Sequence, residues 1–230
     1  LNQPEIGILG SGSDYTVFLD HLGIPSLDFA FEKHTTYGQY HSIYDSFAWV
    51  NAYGGVEGKV GSAFELIAFS AKIWGLLALR LADSQLLPLD PIVQGQALAH
   101  YADAIRKQGT GLDLTELDHA VRHFQEKAAA LQVACATFDM DQQGITYSFA
   151  CNEKLGLFER QFLDNNGLPG RPWFRHVLQA PGVALGYAAE AFPGIQQAIN
   201  EGDMNLAQQQ VVAVTGCVQN AADFLSVSLT

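Results

Sequence analysis

Thr115-Glu116-Leu117-Asp118-His119-Ala120-Val121-Arg122-His123-Phe124 opens the stretch that decides the fold, which runs on through Ala128, Leu131 and Cys135 to Phe138. Leu117, Val121, Phe124, Ala128, Leu131, Cys135 and Phe138 step alternately by four and three. That spacing puts them on one side of a helix, as a seam for antiparallel neighbours in a bundle. Thr115 with the acidic residues behind it reads as a capping start. Working outward, residues 92–108 read as a helix before the Gly109-Thr110-Gly111 loop, Gln143-Gly144 as a break, and 145–163 and 206–229 as two further helices. About four such helices make the second half a bundle. Between the third and fourth, residues 164–192 hold Gly167, Pro169, Gly170, Pro172, Pro181, Gly182 and Gly186, together with Arg171, Trp173, Arg175, His176 and Tyr187. An irregular excursion of this length inside a compact domain is usually functional.

The first half has a different grammar. Residues 6–9 read as a buried strand, Gly10-Ser11-Gly12-Ser13-Asp14 as a tight turn, and 15–22 as a short helix with Val17, Phe18 and Leu22 toward the core and Gly23 as its left-handed end. Leu27, Phe29 and Phe31 alternate with polar or small neighbours as in a half-buried strand. A polar loop over 32–39 and a helix over 45–53, stopped by Gly54-Gly55, complete the tail of a mixed sheet. Residues 59–82 are apolar around most of a helix's circumference, so that helix is expected to lie buried between layers. Pro88 and Pro91 end it and mark a change of domain. The expected fold is an α/β portion over 1–85 followed by an all-α helical bundle over 86–230, mostly helical overall.

Composition excludes several classes. With 48% hydrophobic and 16% charged residues in a chain of 230, disorder is not expected. A net charge of −12, scattered rather than blocked, would repel a phosphate backbone, so nucleic acid is not expected as a partner. Glu65, Lys72 and Arg80 interrupt the apolar run over 63–82 where a bilayer would penalise them, so no membrane segment is expected. No basic and apolar leader opens the sequence, and Glu5-Ile6-Gly7-Ile8 reads like a sheet entered midway. Cys135, Cys151 and Cys217 leave one disulfide pair possible, with one thiol over.

Two stretches carry chemistry. The Gly10–Asp14 turn can present backbone N–H groups to a ligand at the end of a strand, or simply connect strand to helix. It is no dinucleotide fingerprint, because Tyr15 stands where the third glycine belongs. Tyr40 and His41 sit side by side, a hydroxyl donor and an imidazole. A catalytic zinc centre needs three or more protein ligands and a base, so His41 taken alone reads first as structural. His119 and His123 share a helix face without the glutamate of a zincin, and Asp20, His21 and His34 read as surface residues.

In order and spacing, five runs resemble the glutamate carboxypeptidase II and transferrin-receptor family. They are Leu9-Gly10-Ser11-Gly12-Ser13-Asp14-Tyr15, Leu22-Gly23-Ile24, Tyr40-His41-Ser42-Ile43-Tyr44, Gly167-Leu168-Pro169 with Arg171-Pro172-Trp173-Phe174-Arg175-His176, and Tyr187-Ala188 with Phe192-Pro193-Gly194. The resemblance implies the end of a zinc-peptidase domain followed by a helical dimerisation domain. It makes His41 similar to the family's last zinc ligand and Tyr40 to the tyrosine that donates to the oxyanion. Ser11, Gly12 and Ser13 then resemble a substrate-contacting turn, and Tyr187 a residue closing over the substrate. It further implies two zinc ions in an intact parent, an upstream peptidase portion, a peptide substrate, a homodimer through the bundle, and an extracellular or secretory-pathway, membrane-anchored parent. The water-activating glutamate and bridging aspartate have no counterpart, so this chain alone is expected neither to hold zinc tightly nor to be active. Asp28-Phe29-Ala30 replaces an Arg-x-Arg pair, Gly186-Tyr187 replaces Lys-Tyr, and Ser13 replaces an asparagine. Those losses point away from glutamate selectivity, toward a broader aminopeptidase or dipeptidase. The alternative is a non-catalytic receptor-like or dimerisation module.

Overall fold

The computed structural model describes residues 6–31, 38–55, 59–137, 140–184 and 186–226, without the side chains of 140–145. Glu5, His34 and its loop over 32–37, Phe138 and residues 227–229 of the expected last helix lie outside the described residues. The chain divides into two compact units, one formed by 29–85 and the other by the segment up to Asp28 together with the chain from Leu86 onward.

The larger unit is a helical bundle built from α3 (Pro91–Lys107), α4 (Thr115–Ala136), α5 (Met140–Leu157), α6 (Pro193–Glu201) and α7 (Met204–Leu225). The stripe read on α4 is its core: Leu117, Val121, Phe124, Ala128, Leu131 and Cys135 are all buried. Facing it are Leu98, Ala102 and Ile105 of α3 and Val211, Val214, Val218 and Leu225 of α7. Phe124 meets Phe162 with ring centroids 5.9 Å apart. Gly95 lets α3 come close to α4, since a Cβ there would lie 2.9 Å from Cγ of Gln125, whose Nε2 donates to the Gly95 carbonyl at 2.9 Å.

Helix ends follow short acidic caps. Asp90 accepts from the N–H of Ile92 at 2.9 Å and Asp203 from Leu206 at 2.9 Å. At α4 the N-cap position is Leu114, and the first amide is met from just before it by Asp113, which accepts from Thr115 N–H at 2.9 Å; Thr115 itself is already helical. The expected break at Gln143-Gly144 does not occur: α5 runs through Gly144, although a glycine inside a helix costs about 1 kcal/mol relative to alanine. It ends at Leu157, where a 3₁₀ turn, Phe158–Phe162, takes over. The helix α6 escaped the periodicity reading, although Pro193 at its start and left-handed Gly202 at its end are ordinary boundary signals.

The strands expected over 6–9 and 26–31 do not form. An apolar run or an alternating one marks what a strand would bury, but a ladder needs a partner strand to receive its N–H and C=O groups, and among the described residues neither segment is paired in a sheet. The sheet that does form lies inside the irregular excursion, where β1 (Gln179–Pro181) pairs antiparallel with β2 (Ala189–Ala191), Gln179 opposite Ala191.

The helix after the first turn is also different from expectation. Val17–His21 is a π-helical turn, with Leu22 N–H bonded to the Val17 carbonyl at 3.2 Å. The i to i+5 closure rotates the side chains relative to an α-helix. Val17, Phe18 and Leu22 are consequently exposed, and Leu19 and Asp20 are buried in their place. Gly23 ends the turn at φ 61°, as its position predicts, and lies over Arg160 and Leu163.

The smaller unit holds α1 (Phe47–Tyr53) and α2 (Ser62–Asp83). Ser46 caps α1 through the N–H of Trp49. Gly54 and Gly55 bring the chain back against Ser62 and Ala63, and Phe47 stacks on Phe64 with centroids 5.3 Å apart. Phe29 meets Trp74 at 4.9 Å and Phe31 meets Phe69 at 5.9 Å. Contrary to the expectation that α2 lies between layers, it buries only Ser62 and Ala63. Its length and apolarity would suffice to cross a membrane, but Lys72 near its middle would cost about 2.5–3.5 kcal/mol there.

Candidate functional site

The turn at 10–13 and Tyr187, 174 residues or more apart in the chain, lie against each other in the bundle unit. The Ser11 N–H donates to the Tyr187 carbonyl at 3.0 Å. Gly10 passes directly under that backbone, and a Cβ there would collide with Tyr187 O and Ala189 N. At Gly12, φ is 110° and a Cβ would stand 2.8 Å from Cγ of the Tyr187 ring. The two glycines are therefore required by close approach, one to a carbonyl and the other to a ring. The requirement at Gly10 went unread in the sequence; the Gly-Ser-Gly pattern was the available signal.

Around this contact, Tyr15 donates its hydroxyl to the Ser11 carbonyl at 3.1 Å. Burial pushes the Tyr15 phenol upward, and the charges of Asp28 and Asp20 add to it. Ser13 is exposed, and its carbonyl accepts from both the N–H and the hydroxyl of Thr16, at 3.1 and 2.7 Å. Tyr187 keeps 56% of its surface exposed, enough to meet a ligand beside the half-buried Ser11.

Tyr40 and His41 belong to the smaller unit and are described by themselves. Ser42 N–H donates to the Gln39 carbonyl at 3.0 Å, closing a turn in which His41 takes the left-handed φ of 59°. The Ser42 hydroxyl donates to the same carbonyl at 2.8 Å and accepts from Tyr44 N–H at 3.1 Å. The Tyr40 and His41 rings stack, with centroids 3.8 Å apart, and both are exposed. A non-glycine residue held at positive φ stores strain of the kind found at functional sites. One imidazole does not fit a zinc ion. Among the described residues, no group of three or more His, Cys, Asp or Glu side chains could hold a metal.

Several residues of the excursion hold the fold. His176 is fully buried, with Nε2 at 2.9 Å from Glu159 Oε1. Its Nδ1 accepts from Leu178 N–H at 3.3 Å, so Nε2 carries the proton donated to Glu159. Trp173 stacks on His21 at 5.1 Å, and Arg175 donates to Asn165 at 2.7 Å. His123 approaches Asp223 of α7 at 3.4 Å. The three cysteines are free and buried. Burial and then the neighbouring Cys151 push the Cys135 thiol up to about 12; burial pushes Cys217 to about 11.

Asp20, read as a surface residue, is fully buried, and its carboxyl is pushed up to about 7 by burial, against the pull of the Arg171 guanidinium. Burial lowers Arg171, while Glu190, Asp20 and Glu201 favour its charge. This cluster escaped the sequence reading because the π turn, which brings Asp20 inside, has no periodic signature.

The chain matches the transferrin receptor-like dimerisation domain over residues 112–226. It is 32% identical to a probable glutamate carboxypeptidase of Arthroderma benhamiae over 96% of this chain and 31% of that protein. To an aminopeptidase of Mus musculus it is 31% identical, over 95% of this chain and 31% of that protein. To a protein named an inactive zinc metalloprotease in Schizosaccharomyces pombe it is 26% identical, over 91% of this chain and 27% of that protein. The chain thus spans under a third of the length of these curated relatives.

Proposed function

This chain belongs to the transferrin receptor-like and glutamate carboxypeptidase family, and from that premise we propose that it serves a zinc peptidase hydrolysing peptide bonds, with the bundle pairing two copies. In this reading residues 1–85 are part of the peptidase domain and 86–230 form the dimerisation domain. His41 supplies one zinc ligand, with the others and the base coming from outside the chain. The Tyr40 hydroxyl donates to the oxyanion that develops as the peptide carbonyl is attacked. Ser11, Gly12, Ser13 and Tyr187 contact the substrate. The observation that carries this reading is that relatives named as carboxypeptidase and aminopeptidase match over 95–96% of the chain, across both the Tyr40-His41 stretch and the bundle. Asp28 and Ala30, where cations would select glutamate, support broader specificity. An extracellular, membrane-anchored setting rests on the resemblance alone.

The test is the full-length protein carrying this chain. Two zinc ions per subunit are expected, and Tyr40→Phe should lower kcat about 10²–10³-fold, the usual loss for one oxyanion donor. An unchanged kcat removes Tyr40 from the chemistry. For the bundle, sedimentation at micromolar concentration should give a dimer, and a monomer there refutes the pairing. The match to an inactive relative favours a second reading, a non-catalytic dimerisation module. Absence of zinc and turnover with the dimer intact would select it.

A further inference from the structure

Five buried side-chain atoms among the described residues have no hydrogen-bond partner: both carboxylate oxygens of Asp20, Nε and Nη2 of Arg171, and Oε1 of Gln197. Four of the five belong to two residues whose charges act on each other. A buried charge without hydrogen bonds is costly, and a well-packed apolar pair is often the more stable choice. The arrangement therefore calls for a purpose other than stability.

Where the two residues attach suggests one. Asp20 sits in the π turn, and its carbonyl receives the N–H groups of Arg175 and His176 at 2.8 and 3.1 Å, tying the turn to the segment that carries Arg171. Arg171 spends its remaining nitrogen, Nη1, on the carbonyl of Pro181 at 2.6 Å. Pro181 ends β1 and pairs with Ala189, two residues beyond Tyr187. Tyr187 in turn receives the Ser11 N–H, and Ser11 receives the Tyr15 hydroxyl. Arg171 is thus bonded to one limb of the hairpin, and the glycine turn lies against the residues that lead into the other.

We propose that Asp20 and Arg171 are positioning residues that hold Tyr187 against the Ser11-Gly12 turn, Arg171 through its bond to Pro181 and Asp20 by orienting the guanidinium. The proposal gives a reason for the buried pair and deepens the reading of Ser11, Gly12 and Tyr187 as substrate contacts, on which it rests. An ionised Asp20 attracts the Arg171 guanidinium without a hydrogen bond to it, and a neutral one does not. The charged or titratable groups around the pair are Tyr15, which feels Asp20, and Glu190 and Glu201, which feel Arg171. His176, on the segment bonded to Asp20, is occupied by Glu159. Asp20 is the one of these carried to about 7, so the contact should tighten between pH 6 and 8.

The Ser11 amide reports the contact directly. Its hydrogen exchange, measured by NMR on the 230-residue chain and referred to the rate of an unstructured amide, should show protection about tenfold greater at pH 8 than at pH 6. Global stability should move the opposite way over that range, because ionising a buried carboxyl opposes folding. A merely structural role would therefore make Ser11 protection fall with pH. Asp20→Asn, which removes the buried charge and keeps the shape, should abolish the pH dependence. Arg171→Met should lower protection at both pH values, with Arg171→Lys between it and the wild type. If protection falls with pH, stays level, or keeps its wild-type profile in Asp20→Asn, the positioning role is refuted, whether or not Arg171→Met folds. In the full-length protein, Arg171→Lys should raise KM more than it lowers kcat. A Ser11 response with no change in KM would leave the positioning role standing and remove Ser11, Gly12 and Tyr187 from the substrate site.

Discussion

Two helices of 22 residues, α2 and α4, make opposite use of their apolar side chains. The helix α4 confines them to a stripe and buries it, whereas α2 carries them around most of its surface and buries only Ser62 and Ala63. A stripe names one direction in which a partner must lie, and α3 and α7 lie there. A helix apolar all round needs cover on every side. Its own unit gives α2 the short α1 and the aromatic contacts of Phe29 and Phe31, and Leu79 remains 70% exposed. Hydrophobicity sets what a helix demands; only the neighbours decide whether the demand is met.

The sharpest break between the two is a truncation in each. Phe124→Ala empties a fully buried position between α4 and the Phe158–Phe162 turn and should cost about 3–5 kcal/mol, transfer and cavity together. Leu79→Ala removes a side chain that already faces solvent and should fall within about 0.5 kcal/mol. Urea denaturation of the two variants gives the comparison. A loss at Leu79 approaching that at Phe124 would mean that α2 is covered in solution.

A smaller effect comes from Asp20, whose carboxyl the bundle unit buries completely. In the folded chain Asp20 holds its proton up to about pH 7, well above an ordinary aspartate. Its contribution to stability is therefore fully present below about pH 4 and is lost as pH rises through about 7. Asp20→Asn should consequently stabilise the chain more at pH 8 than at pH 5, by a difference of about 2 kcal/mol. Thermal unfolding at the two pH values measures it, and an equal gain at both would show that Asp20 titrates like an exposed carboxylate.

What could be read beforehand divides along the same line. The stripe from Leu117 to Cys135 was legible because one helix face and one core share a period, and Gly23 because only its φ of 61° could end the turn. The strands expected over 6–9 and 26–31 do not form because neither an apolar run nor an alternating one supplies a partner strand. Asp20 was misread because a π turn shifts the buried face by a fraction of a residue per turn, with no change in composition. Of the candidate site, Ser11, Gly12 and Tyr187 were named in advance, but their contact across the chain is a property of the hairpin, which no local pattern encodes. Tyr40 and His41 stand as neighbours in the sequence; the left-handed turn at His41 has no such mark, since glycine or asparagine is the usual signal for it.

The smallest predicted effect uses one substitution in each unit. Gly75 in α2 and Gly216 in α7 are both exposed, interior to their helices, and among the described residues no atom lies within 4 Å of where a Cβ would stand. Neither is demanded by packing among the described residues, so each costs its helix about 0.8–1 kcal/mol relative to alanine. Gly216→Ala should return most of that as resistance of the bundle to urea, because α7 is part of the core that unfolds. Gly75→Ala should appear mainly as slower amide exchange within α2, whose formation adds little buried surface. Protein concentration then separates propensity from assembly. A gain at Gly216 that is the same at low and high concentration belongs to the helix alone. One that turns into a loss as concentration rises means that the open space at Gly216 is filled when two copies meet, and that the glycine is kept for the partner's approach.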